Sequence, residues 1–269
     1  MIKKTFFLDS ITDADQTHQG RIGISGSHGG LYPAALASAA GIRAVLFYDA
    51  GIGLDQAGVA GVLALANVGM AAAAIDCHSA RIGSARDAYD HGIISVVNSA
   101  AAALGVLSGM PVRTALLALE AAEMPIGTLP PVQESRHELT LEEGGQRLLL
   151  VDSASLVTAD DANRIIITGS HGGLIGGDPA RALKTVARIA VFNDAGMAEN
   201  QAGTTRLPAL DAQGVVAVTV SHETARIGDA RSSFETGIIS KANDLASQRG
   251  ADVGTYLKDW IAKLEIPAS

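Results

Sequence analysis

The sequence predicts an α/β fold of internally duplicated β-α-β units with a mainly parallel sheet, arranged as two similar lobes with pseudo-two-fold symmetry. Three observations lead there. A set of short motifs occurs twice in the same order, β-rich runs alternate with alanine-rich helical runs, and the repeated polar motifs fall just past the carboxyl ends of the apolar runs.

The duplication rests on several matches. Gly26-Ser27-His28-Gly29-Gly30 returns unchanged as Gly169-Ser170-His171-Gly172-Gly173. Asp49-Ala50-Gly51 then recurs as Asp194-Ala195-Gly196, Ala80-Arg81-Ile82-Gly83 as Ala225-Arg226-Ile227-Gly228, and Gly92-Ile93-Ile94-Ser95 as Gly237-Ile238-Ile239-Ser240. Asp49, Arg81 and Asn98 reach Asp194, Arg226 and Asn243 at one constant spacing, a register that chance similarity does not hold. Leu8-Asp9-Ser10 parallels Val151-Asp152-Ser153, so each copy begins before its first pentad. The copies span residues 1–126 and 148–269. Between them 127–147 reads as a linker or hairpin, from Pro130-Pro131 and the turn residues Glu142-Glu143-Gly144-Gly145.

In chain order, strands are expected at Arg21–Ser25, Arg43–Tyr48 and Ala71–Asp76, each a short apolar run bounded by turn residues. Their partners are Arg164–Thr168, Arg188–Asn193 and Val215–Val220. Helices are expected at Tyr32–Ala40 and Asp55–Asn67, and again at Ala180–Ala187 and Asn200–Ala212, where alanine and leucine dominate. Ala57–Ile75 is apolar enough to raise the question of a membrane span. Its counterpart Ala202–Val220 contains Arg206, Pro208, Asp211 and Gln213, so both read as a helix followed by a strand and no membrane association is expected.

Composition narrows the function. The net charge is −8 and aromatic residues make up 4%, with the basic residues scattered, so nucleic acid is not an expected partner. One cysteine, Cys77, excludes an internal disulfide, and the absence of a charged-then-apolar leader points to the cytoplasm. The acidic, alanine-rich surface leaves room for a homo-oligomer.

Open α/β sheets bind ligands at the carboxyl ends of their strands, where all the repeated motifs fall. The pentads offer glycines (Gly26, Gly29, Gly30; Gly169, Gly172, Gly173) whose backbone N–H groups can cradle an anion at a helix start, beside Ser27 and Ser170. The alternative is a tight strand-to-helix turn with a serine cap. His28 and His171 are candidate acid–base or oxyanion-binding groups, and His78, His222 and Glu223 are further acid–base candidates. Asp49 and Asp194 read as orienting groups or as turn-forming residues. Arg81 and Arg226 read as carboxylate anchors, or as partners of Asp87, Asp90 or Asp229. Ser27 follows Gly26 directly, so the pentad is not a Gly-x-Ser-x-Gly nucleophile elbow. Cys77 is either a nucleophile beside His78 or a small buried residue.

No cofactor and no metal is expected. Ser25, Ser27 and Gly30 stand where a dinucleotide fingerprint needs glycines, no phosphate-binding loop is present, and no His-Glu-x-x-His spacing occurs. The resulting expectation is an enzyme acting on a small polar metabolite that bears a carboxylate or amide, with hydrolysis favoured over lyase or isomerase chemistry. The alternative is a non-catalytic sensor or carrier of a small anion or nucleotide, and a purely structural repeat is the third reading.

Overall fold

The computed structural model describes residues 5–141 and 145–264. Its architecture is α/β, with two mixed, mostly parallel sheets of five and six strands. The first sheet contains β1 (Thr5–Leu8), β2 (Ile22–His28), β3 (Ala44–Tyr48), β4 (Ala71–Ile75) and β5 (Ile94–Val97), in that spatial order. β1 to β4 are parallel and β5 is antiparallel to β4. Its helices are α1 (Leu31–Ala39), α2 (Ala60–Ala64), α3 (Ala85–His91), α4 (Ser99–Ala102) and α5 (Val112–Leu119).

The second sheet contains β6 (Arg136–Thr140), β7 (Arg147–Val151), β8 (Ile165–His171), β9 (Ile189–Asn193), β10 (Val216–Val220) and β11 (Ile239–Ala242). β7 to β10 are parallel, with β6 and β11 antiparallel at the edges. Its helices are α6 (Arg206–Asp211), α7 (Ala230–Glu235), α8 (Asp244–Ser247) and α9 (Leu257–Lys263). β6 and β7 are consecutive and antiparallel, as a hairpin requires, but Glu142, Glu143 and Gly144 of the expected turn lie outside the described residues.

The central strands are apolar throughout because both sheet faces are covered. In the first sheet Ile24, Leu46, Ala73 and Ile75 pack on one face, while Val45, Phe47, Ala72 and Ala74 pack on the other, the two-residue alternation of extended chain. Val191 and Val218 against Ala190 and Phe192 repeat the pattern in the second. Two buried asparagines tie strands to helices. Asn98 Oδ1 accepts from Ala72 N and Ala101 N while its Nδ2 donates to Val62 O and Met70 O. Asn243 does the same with Ala217 N, Ala246 N and Val215 O.

The structure departs from the sequence expectation in three helices. The region 55–67 is a 3-10 turn at Leu54–Gln56, then α2, then a second turn at Leu65–Val68, because Asp55 and Gln56 hold left-handed backbone at φ 55° and 57°. The expected helix 200–212 likewise begins as a 3-10 segment, with Asn200 and Gln201 at φ 51° and 59°, before α6. The expected helix 180–187 is a single turn, Pro179–Arg181.

One exchange accompanies the last difference. Gly61 N donates to Gly29 O, and Arg206 N donates to Gly172 O, so Arg206 occupies the place of Gly61. In the first half Gly30 O accepts Ala34 N and starts α1, and Gly61 lets α2 press against that turn, where a Cβ would collide with Gly30 O. In the second half Arg206 Nε takes Gly173 O at 3.0 Å, and its Nη1 donates to Arg181 O and Ala182 O. Gly173 O, the counterpart of the carbonyl that opens α1, is thus taken by the guanidinium instead of a helix N–H.

Among the described residues no helix is long and apolar enough to cross a membrane. Ala57–Ile75, the run that raised the question, holds the short α2 and the core strand β4.

Candidate functional site

Both pentads end their strands, β2 and β8, and both face one cavity of about 680 Å³ between the two sheets. Its wall includes Ser27, His28 and Gly30 from the first half, Ser170, His171 and Arg206 from the second, and Glu134 from the connecting segment. The volume suits a small metabolite.

The glycine amides do not form an open cradle. Gly29 N donates to Tyr48 O and Gly172 N to Asn193 O, each at 2.8 Å, which ties the pentad to the next strand. Gly30 N donates to His28 Nδ1 at 3.1 Å, and Gly173 N to His171 Nδ1 at 3.2 Å. The glycines are there for packing: a Cβ on Gly30 would lie 2.8 Å from the His28 ring, and one on Gly173 2.8 Å from Ala202 O. Ser27 Oγ accepts Ile11 N and Ser170 Oγ accepts Ala154 N, so both serines hold the preceding loop and neither bonds to a histidine.

The histidine geometry fixes their chemistry. A backbone N–H can only donate, so Nδ1 of each ring is the acceptor and the neutral imidazole carries its proton on Nε2. Burial pushes His28 down to about 4. It pushes His171 well below the usual imidazole range too, with the nearby Arg206 and His28 adding to the effect. At neutral pH both rings are therefore uncharged N–H donors. No described protein group bonds to either Nε2, and both residues line the cavity. Such imidazoles polarise a carbonyl or hold an oxyanion, but with Nδ1 engaged they are poor bases at Nε2.

Asp49 and Asp194 lie outside this cavity, in a junction where the two halves touch. Asp49 Oδ1 accepts Gly51 N and Cys77 N, and Asp194 Oδ1 accepts Gly196 N, His222 N and His222 Nδ1. Cys77 N and His222 N thus make the same bond to the aspartates of the two Asp-Ala-Gly motifs. Burial, with Asp49 and Asp76 nearby, raises the Cys77 thiol to about 12, so it is a packing residue and not a thiolate nucleophile. The hydrogen bond to Asp194 raises His222 above its ordinary value. His78 and Glu223 are exposed and do not line the cavity. Asp76, Cys77 and His78 are close enough together to hold a metal, but they are consecutive in one turn and Asp76 Oδ1 already accepts His78 N.

The arginines divide. Arg81 is paired with Asp87 through both its backbone N and its Nη2, each at 2.8 Å, and is not part of the cavity wall. Arg226 is on the wall, bridging to Asp229 at 3.0 Å and across the halves to Asp55 at 2.9 Å. No protein-family model, curated protein or solved structure matches the chain.

The site therefore speaks through its own chemistry. Of the residues singled out in the sequence, it brings together Ser27, His28, Gly30, Ser170, His171 and Arg226; Gly26, Gly29, Gly169, Gly172 and Gly173 shape the loops behind them. Two wall residues had no sequence signal from the repeat. Glu134 lies beside Tyr32 and Ser153, and burial raises its carboxyl above the ordinary value. Arg206 occupies a position where the halves differ, so a search for matches passes over it.

Proposed function

We propose that this chain is an enzyme that hydrolyses a small polar metabolite bearing a carboxylate or an amide, at the cavity between two duplicated lobes, residues 1–126 and 148–269. The observation that carries the reading is the pair of neutral imidazoles, each held by a glycine N–H at Nδ1 and each on the wall of one cavity. The paired topologies of the sheets and the matching bonds of Asn98 and Asn243 support the duplication.

In this reading the scissile carbonyl oxygen sits against the Nε2–H donors of His28 and His171, which stabilise the negative charge that develops on it. Glu134, a carboxylate made more basic by burial, takes a proton from water as the water oxygen attacks the carbonyl carbon. The bond to the leaving group breaks, and Glu134 returns the proton to it.

The test is a hydrolysis screen of small amides and esters of carboxylic acids, with parent, His28→Ala, His171→Ala and Glu134→Gln proteins whose folding is checked by circular dichroism. Loss of one oxyanion donor is expected to lower kcat by about 100-fold. Turnover unchanged in both histidine variants would defeat the reading. Tight ligand binding without turnover in any assay would favour a sensor or carrier.

A further inference from the structure

We propose that Arg206 forms an anion subsite at the second-half end of the cavity, so that the ligand binds with a carboxylate or similarly anionic oxygen group against its guanidinium. This rests on the proposed site but concerns a different residue and a different end of the ligand.

The cavity is built from matching loops, yet its charge is not matched. Arg206 stands where the first half has Gly61, and it is only 3% exposed while forming part of the wall. Its hydrogen-bond partners are neutral carbonyls: Gly173 O for Nε, and Arg181 O and Ala182 O for Nη1. Its guanidinium also lies 5.1 Å from the centre of the Phe192 ring. Among the described residues no carboxylate forms an ion pair with it, and its Nη2 bonds to none of them. Burial, with Arg181 nearby, lowers it to about 10, which leaves it charged at neutral pH.

No neighbouring carboxylate among the described residues pairs with that charge. Asp152 Oδ1 is taken by Ala230 N and its Oδ2 by Ser135 N, while Asp13 reaches Arg181 at 3.7 Å. Lys184, on the same wall, donates to Ser155 O and adds a second cation. Arg226, by contrast, is already matched by Asp55 and Asp229. A buried cation without a carboxylate costs free energy that a ligand carboxylate would recover. The guanidinium holds such a group through charge-assisted hydrogen bonds. The first half, with Gly61 and α1 at this place, has no equivalent cation, so the ligand has one orientation in a cavity whose loops are otherwise paired.

The test is calorimetric titration of the parent, Arg206→Gln and Arg206→Lys proteins with succinate, succinamide and inorganic phosphate at low ionic strength. Parent protein is expected to prefer succinate or phosphate to succinamide by about tenfold or more. Arg206→Gln should abolish that preference and Arg206→Lys restore part of it, a pattern that a purely structural arginine would not give. Whichever anion prevails identifies the source of the charge. A parent that binds no anion better than succinamide, or a folded Arg206→Gln protein that keeps the preference, overturns the proposal. If Arg206→Gln does not fold, parent crystals soaked in bromide decide it: an anomalous peak beside the Arg206 guanidinium supports the subsite, and peaks only elsewhere overturn it. An Arg206-dependent preference in a protein whose turnover ignores His28→Ala and His171→Ala keeps the subsite and discards the imidazole mechanism. The reverse pattern discards the subsite alone.

Discussion

A histidine's role here is decided by which ring nitrogen its neighbour occupies. Gly30 N and Gly173 N fill Nδ1 of His28 and His171, and both rings are held below the ordinary imidazole value. The unfolded chain takes up these protons near 6.5, whereas folded His28 resists until about 4. Their contribution to stability is therefore complete above pH 6.5 and is lost as the pH falls towards 4, on the order of 3 kcal/mol for His28. His222 has the opposite sign. Its bond to Asp194 raises it, so its contribution is present below the ordinary imidazole value and disappears as the pH rises through its folded value. Urea midpoints measured across pH should then peak near neutrality, with His28→Asn flattening the acid limb and His222→Gln the alkaline one. A midpoint that stays level from pH 7 down to 4 would contradict the buried neutral imidazoles.

At the scale of elements, the asparagine ties carry a large share of the order. Asn98→Ala would strand the buried Ala72 N together with Val62 O and Met70 O, and Asn243→Ala would strand Ala217 N and Val215 O. Each unsatisfied buried group costs ~1–3 kcal/mol, so either substitution should cost about 3 kcal/mol or more, read as a lowered urea midpoint. A loss below about 1 kcal/mol would mean water replaces the side chain. Both asparagines were visible in the sequence as matches, and so were β3, β4, β9 and β10, because strands covered on both faces must be apolar along their length. The edge strands β1, β5, β6 and β11 were not predicted, nor was β7 beside β6. They are short, and Arg136–Thr140 is polar enough to pass for linker. The helix expected at Ala180–Ala187 was illegible for a different reason: its composition is helical, but Gly176 and Gly177 before it hold left-handed backbone, and the distant Arg206 takes Arg181 O and Ala182 O, carbonyls that a helix there would use. The same logic divides the site. His28 and His171 stood out because both pentads carry them, while Arg81 and Arg226 stood out equally and proved to be paired with Asp87, and with Asp55 and Asp229.

For the whole molecule, the question is what makes two sheets one cooperative unit around a shared cavity. One close approach lies where Gly51 and Gly196 meet, at φ +74° and +81°. A Cβ on Gly51 would lie 2.7 Å from Gly196 Cα, and one on Gly196 2.9 Å from Gly51 Cα and 2.7 Å from Cys77 Sγ. The flanking Ala50, Ile52, Ala195 and Met197 also hold left-handed backbone, so strain is concentrated in the two loops that touch. Further links cross beside them: Leu54 N donates to His222 O, Gly176 N to Gly83 O, and Arg226 pairs with Asp55. Gly196→Val should force the loops apart at a cost of about 2–4 kcal/mol, from both the crowding and the backbone conformation. The single tryptophan, Trp260, is buried in α9 and reports on the second half alone, whereas circular dichroism reports on both. In the parent, urea transitions followed by the two signals should coincide; in Gly196→Val they should separate, because each sheet retains its own core. Coincident transitions in the folded variant would show that the halves are coupled elsewhere, through the cavity walls and the Arg226 to Asp55 bridge instead of the glycine contact.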